Sequence, residues 1–367
     1  MKNFYFKAST LLLMAALMAS CAKESVETTS GNTGRSILYK AAFGTNRPGG
    51  ETRAKEMNVE GLIADNESLP VWVYFRSGTS AGTLFKSWSL TYLTTPTEHW
   101  SYNNDVDEIH PADDLMHFSV WPVENITTTG RDATGTPLLD NVDANSDGAT
   151  FDYTVPALYL DQEDLLVAQA NSTYANPSVQ FTYHHALSQI NFSVKGYTGV
   201  KITISNIKMG GICNKGTYSF ETDKWSATAG DGAYDYVISP EEPGGPVGQT
   251  TGLDDKEVFF GNHDPGTDPE KDIRHANSLM LMPQSFEANT AAWFSFDYVL
   301  TNMDDVVLKS GVGVKVSLKD LAIGGNAPVW KEGNRYRYTI QFNKLNTISY
   351  TVQVNQWTVG NQAQTVQ

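Results

Sequence analysis

Cys21 is the residue whose surroundings point most directly to a reaction. It follows a basic start (Lys2, Lys7), an apolar run over 11–18 and the small residues Ala19 and Ser20. That order reads as an export signal over residues 1–20, with an apolar run too short to span a bilayer stably. A thiol directly after small residues is the position acylated in a bacterial lipobox, so Cys21 is expected to carry lipid and become the mature N-terminus. Cys213 is then the one thiol left, no intramolecular disulfide can form, and stability must come from core burial. As a nucleophile Cys213 would need a depressed pKa and a nearby base; a buried, inert thiol is the commoner state.

Other residue types that do chemistry fall short of a site. Asp143, Asn145, Asp147 and Gly148 match the first half of a calcium loop, but the twelfth position, where a bidentate Glu is needed, is Thr154. The flanking patterns are β rather than helical, so a hydrophilic hairpin tip is expected. The stretch 211–217 has two glycines at phosphate-loop spacing without the Lys that should follow the second, and it reads as a hairpin turn. His184 and His185 are adjacent, so on a strand they point to opposite faces and cannot chelate together. His110, His117, His263 and His275 lack metal-ligand spacing. Asp161, Glu163 and Asp164 offer a carboxylate pair on paper, yet acids at a strand start in so acidic a chain are usually solvated. No triad or nucleophile elbow is present. The expectation is no enzyme, no metal and no cofactor.

The elements that would position these residues follow from length and pattern. A chain of 367 residues is too long for one ordinary core and suggests roughly two domains. Hydrophobic residues at 40% and charged residues at 18% are globular proportions. With 26 Lys and Arg against 41 Asp and Glu the formal net charge is −15, which repels phosphate backbones and anionic head groups and excludes nucleic acid as a leading partner. Losing residues 1–20 removes Lys2 and Lys7 and makes the mature chain more acidic.

Residues 22–34 are polar and aperiodic, a tether. Residues 36–43 read as a strand, and 44–56 as a Gly-rich, basic loop. Short β runs follow at 71–75, 89–93, 116–121, 150–155, 179–183, 189–194, 201–207, 293–300, 312–318, 335–342 and 348–354, divided by Gly, Asn, Asp and Pro. Helix-period stretches are nearly absent. The pattern implies antiparallel sandwiches or barrels, and two stacked β-sandwiches fit the length. A boundary is expected in the polar stretch 171–177, and a further loop over 239–255.

The chain resembles the fimbrillin family of Bacteroidales, the lipoprotein-derived subunits of type V pili. The likeness runs from the lipobox through Thr52-Arg53-Ala54, then 116–122, 162–168, 179–194, 279–284 and 330–338, to a last strand ending in Trp357. Ser188 and Gln189 stand where Ala and Lys are more usual, a departure that touches packing only. The resemblance implies an all-β fold of two tandem, antiparallel, transthyretin-like β-sandwich domains, over 54–175 and 176–367, behind the signal (1–20) and a removable segment (21–53). It also implies an outer-membrane lipoprotein precursor that becomes part of a surface fimbrium and serves adhesion.

In that family an N-terminal strand fills a groove in the first sandwich, an arginine-specific protease removes it, and a strand from the next subunit replaces it, which is β-strand addition between chains. Here the removable strand would contain Ile37, Leu38, Tyr39 and Phe43, with Ile37, Leu38, Ala41, Ala42 and Phe43 offered to the groove. Burying Ile37, Leu38 or Phe43 is worth ~1.5–3 kcal/mol each. Arg35 precedes the strand and Arg47 precedes Pro48, which leaves Arg53-Ala54 as the expected cleavage site. The candidate donor is the alternating run Ile348, Tyr350, Val352 and Val354. The residues leave open whether this strand closes its own sandwich, as in a tip subunit, or leaves to pair with a partner. Partners implied are other pilin subunits, the outer membrane before processing and the protease. The competing reading is a surface glycan-binding lipoprotein, with exposed aromatics such as Trp72, Trp88 or Trp100 stacking on sugars.

Overall fold

Runs of alternating or continuous apolar residues rich in β-branched and aromatic types have one way to bury themselves here, as strands in packed sheets. The structure, a computed structural model, describes residues 37–43, 62, 68–94, 99–102, 110–121, 126–127, 150–158, 161–236, 248–250, 257–260, 278–287, 289–323, 328–344 and 347–356. Its first strands are β1 (Leu38–Phe43), β2 (Leu69–Ser77), β3 (Ser80–Leu93), β4 (His99–Tyr102), β5 (Leu115–Trp121), β6 (Ile126–Thr127), β7 (Thr150–Thr154), β8 (Leu166–Ser172) and β9 (Ser178–His185). The next are β10 (Ser188–Lys195), β11 (Lys201–Ile212), β12 (Lys215–Ser219), β13 (Lys224–Ala229), β14 (Gly232–Asp235), β15 (Gly248–Thr250) and β16 (Glu257–Phe259). The last are β17 (Leu279–Leu281), β18 (Gln284–Ser285), β19 (Trp293–Thr301), β20 (Val307–Ser317), β21 (Val329–Trp330), β22 (Asn334–Phe342) and β23 (Ile348–Gln356).

The all-β class is as expected, but the arrangement of the first strands is not. They form one closed sheet in the order β1-β4-β3-β2-β5-β8-β9. Closure comes from β1, which lies antiparallel to β4 and parallel to β9 and so joins two edges that would otherwise face solvent. The sheets are therefore mixed: β10 and β22 also pair in parallel. The turn Thr173–Asn176 lies between β8 and β9, so the stretch read as a boundary connects two strands of the barrel.

Strands β2 and β5 are buried on both faces, which is why they read as continuous apolar runs. Leu69, Val71 and Val73 belong to the barrel interior with Leu90, Leu166, Val179 and Phe181. On the opposite face Trp72, Tyr74, Phe118 and Val120 join the larger core of the remaining sheets. Phe118 stacks on Phe220 with ring centroids 4.8 Å apart, tying the barrel to the four-stranded sheet β13-β12-β7-β6. Beyond it, the sheets built on β10-β22-β23 and on β11-β19-β20 enclose an aromatic centre, with Phe192 at 5.3 Å from Phe294 and Phe294 at 5.6 Å from Tyr338.

The segment 211–217 is not a hairpin. Strands β11 and β12 belong to different sheets, and Cys213 and Asn214 carry the chain across between them. Gly211 adopts φ +67°, and a Cβ there would collide with the Ala291 carbonyl, so the glycine serves this crossover. Among the described residues no helix is long and apolar enough to cross a membrane.

Candidate functional site

Strand β1 is separated in sequence from β2 by residues 44–68, and it pairs with neither β2 nor β3. Its six residues run alongside β9 from Leu38↔Ser178 to Phe43↔Tyr183, and Tyr39 also faces Trp100 of β4. The pleat sorts its side chains. Ile37 and Tyr39 point into the barrel at 5% and 4% exposure, while Leu38 points out at 50% and does not enter the groove as expected. Lys40 is exposed and Ala41 half-buried; the side chains of Ala42 and Phe43 lie outside the described ones.

Among the described side chains of the strand, Tyr39 is the best anchored. Its ring stacks on Phe181 at 6.1 Å and meets Trp88 (6.0 Å) and His117 (5.7 Å) edge-on. Its hydroxyl is 3.2 Å from His117 Nδ1. His117 Nε2 is 2.7 Å from Ser172 Oγ, Ser172 Oγ is 2.8 Å from His110 Nε2, and His110 Nδ1 is 2.7 Å from the Pro111 carbonyl oxygen.

That last contact sets the order of protons along the relay for an uncharged His110 ring. A carbonyl oxygen can only accept, so His110 Nδ1–H donates to it and the neutral ring accepts at Nε2 from the Ser172 hydroxyl. Ser172 then accepts from His117 Nε2–H, and His117 Nδ1 is left as the acceptor for Tyr39. Burial, with a smaller contribution from His110, lowers the His117 pKa from its ordinary 6.5 to about 3. A second buried relay runs from the Tyr183 hydroxyl to Ser119 Oγ (2.6 Å) and on to the Pro70 carbonyl (2.7 Å).

The His117 shift has a pH signature. Between about pH 6.5 and 3 the unfolded chain binds a proton on this ring that the folded barrel refuses. Stability from this group is therefore full above 6.5 and falls as pH drops, by up to about 1.4 kcal/mol per unit. Urea midpoints of the native chain and His117→Asn, compared from pH 7 to 4, should show the variant less stable at pH 7 but shallower in its acid slope. Parallel slopes would mean that His117 titrates normally.

The other sequence candidates scatter. His184 and His185 do face opposite ways: His184 is half-exposed beside Tyr218 and Asp223, and His185 is buried with Nδ1 2.7 Å from Asp164 Oδ2. Asp164 corrects the expectation of solvated acids, for it is fully buried, whereas Asp161 is exposed. Cys213 is half-buried, and burial raises its thiol pKa, the opposite of what a nucleophile needs. Trp72 and Trp100 are buried and Trp88 is half-buried against Tyr39, so none of the three is laid open for sugar stacking. Of the candidate donor, Ile348, Tyr350, Val352 and Val354 form the half-buried face of β23, packed on the larger core. Cys21, Arg53, Ala54, the loop 143–148 and the tail beyond residue 356 lie outside the described residues.

His110 and His117 converge on Ser172, an arrangement absent from the sequence pattern. Spacing carries no signal for it, because Ser172 arrives from β8, across the sheet.

A family profile described as fimbrillin-like matches residues 52–357, most of the chain. The protein belongs to the fimbrillin-like family. The solved structures to which this fimbrillin-like chain is similar are distant from it. A candidate cell adhesion protein from Bacteroides uniformis is 14% identical, with 88% of this chain and 98% of that one covered and a TM-score of 0.41. A candidate cell adhesion protein from Bacteroides ovatus is 12% identical, with 90% and 100% covered and a TM-score of 0.42. The fimbrial anchor protein Mfa2 from Porphyromonas gingivalis is 9% identical, with 90% and 100% covered and a TM-score of 0.36. No curated protein matches the sequence. Family membership gives this fimbrillin-like chain a structural, fimbrial role at the cell surface, in the company of other fimbrial subunits.

Proposed function

We propose that the chain is a pilin exported as a lipoprotein through Cys21, cut after Arg53, and assembled when a strand from another subunit takes the place of β1. Two β lobes would divide the work, one receiving a strand and the other offering β23. The observation that carries this reading is the placement of β1. It is inserted between β4 and β9, away from β2, so one cut between residues 43 and 69 leaves it held by hydrogen bonds and side-chain burial alone. Removing it opens two strand edges and an apolar interior at once, a combination that demands another strand.

Limited digestion of the purified precursor with trypsin tests the proposal. The new N-terminus should be Ala54, and loss of residues 1–53 should be followed by a ladder of oligomers that survives sodium dodecyl sulfate. Arg53→Ala should block both. A chain that stays monomeric after the cut and is retarded by polysaccharide in affinity gels would instead be a glycan-binding lipoprotein.

A further inference from the structure

We infer that the vacated slot selects its incoming strand through His117, and that the strand it is shaped to take is β23 of a second copy, in the orientation and register of β1, with Tyr350 in the place of Tyr39. This rests on the strand-replacement reading above and adds to it a recognition rule. The relay ending at the Pro111 carbonyl holds His117 Nδ1 as an acceptor, and in the closed barrel Tyr39 supplies the donor. A replacement strand with an apolar residue at that point would bury the acceptor unpaired; a strand with a hydroxyl on an aromatic ring would satisfy both the acceptor and the ring contacts with Phe181 and Trp88.

The chain carries such a strand. The inward residues of β1 read Ile37-x-Tyr39-x-Ala41, and those of β23 read Ile348-x-Tyr350-x-Val352. Ile-x-Tyr occurs at these two places in the sequence and nowhere else. Read in the opposite direction with Tyr350 kept opposite His117, β23 would put Val352 in the place of Ile37 and Ile348 in that of Ala41, and the Ile-x-Tyr match would be lost.

The present surroundings of β23 also suit a strand that moves. Among the described residues it is an edge strand, paired with β22 alone, from Ile348↔Phe342 to Gln356↔Asn334. Its inner side chains are half-buried, whereas Ile37 and Tyr39 in the slot are almost wholly enclosed. Tyr350 rests edge-on against Phe294 (5.9 Å) and Phe296 (6.4 Å), and its hydroxyl makes no hydrogen bond among the described residues. Transfer into the slot gives the strand two neighbours, β4 and β9, in exchange for one, and gives the hydroxyl an acceptor.

The test uses trypsin-treated full-length chain in a Cys213→Ser background. Tyr350→Phe keeps the shape and removes the donor. It should leave precursor unfolding and cleavage unchanged but lower the yield of oligomers at limiting concentration about tenfold, the equilibrium effect of roughly 1.4 kcal/mol. Pairing Tyr350→Phe with His117→Phe, which removes the acceptor too, should restore most of the loss relative to His117→Phe alone. Register is read by Ser349→Cys mixed with Ser178→Cys: residue 349 takes the place of Leu38, which pairs with Ser178, so an interchain disulfide should form on oxidation. Full oligomer yield from Tyr350→Phe, or no 349–178 crosslink in a chain that does form ladders, overturns the recognition rule and leaves strand replacement standing. A native chain that yields no ladder after cleavage overturns both.

Discussion

A chain that begins after Phe43 should not persist as a stable monomer. The strand it lacks contributes two nearly enclosed side chains, Ile37 and Tyr39, worth ~1.5–3 kcal/mol each in apolar burial. The Tyr39–His117 hydrogen bond adds ~0.5–1.5 kcal/mol. Together these are roughly 4–7 kcal/mol, set against ~5–15 kcal/mol for a whole folded domain. The loss also opens two ladders and uncovers Trp88, Trp100, Val179 and Phe181. Size-exclusion chromatography should show oligomers or aggregate in place of monomer, tryptophan emission should shift to the red as Trp88 and Trp100 meet water, and a synthetic peptide of residues 35–45 should reverse both. A monomer with native emission and an unchanged urea midpoint would mean that β1 is dispensable to the barrel.

What the sequence reveals of this arrangement follows the range of the interactions involved. Strands such as 116–121, 189–194 and 335–342 are legible because local alternation or continuous apolar runs define them, and the structure places a strand over each. The closure of the barrel is not legible: it depends on Leu38 lying beside Ser178, a pairing across more than a third of the chain that leaves no periodic trace in either segment. The same distance hides the relay. His110 and His117 share one hydroxyl because β8 delivers Ser172 between them, and a scan for metal-like spacing has no reason to include a serine. Within β1 the pleat alone would have sorted Tyr39 inward and Leu38 outward once Ile37 was placed in the groove. A count of apolar residues misses this, because it ranks Leu38 above a tyrosine that carries both a large ring and the hydroxyl the slot requires. The course of 211–217 is hidden for a related reason: Gly211 and Gly216 signal a change of direction, but not whether the chain returns within its sheet or crosses to another.

Replacing Asp164 by Ala should cost about 3–5 kcal/mol of unfolding free energy. Asp164 has no exposed surface, and its Oδ2 lies 2.7 Å from Nδ1 of His185, which is itself buried. A carboxylate taken wholly out of water persists only with a partner of this kind, and deleting it leaves the imidazole in a low-dielectric site without its main ligand. The pair sits where its loss propagates. Asp164 precedes β8 and His185 ends β9; Leu166 pairs with His185, and the Ala186 amide donates to the Leu165 carbonyl at 2.8 Å. The two side chains thus fasten the closed end of β8 to that of β9, and β9 is the strand against which β1 lies in parallel. Asp164→Asn keeps an oxygen for the Nδ1–H and should recover at least half of the loss, separating the hydrogen bond from the charge. Urea unfolding of the three chains measures the ranking native, Asn, Ala. Hydrogen exchange should show the Ala variant losing protection first at the amides of residues 166–167 and 184–186. Equal midpoints for Ala and native would show that β8 and β9 are held by their apolar contacts alone and that the buried acid contributes nothing to the slot.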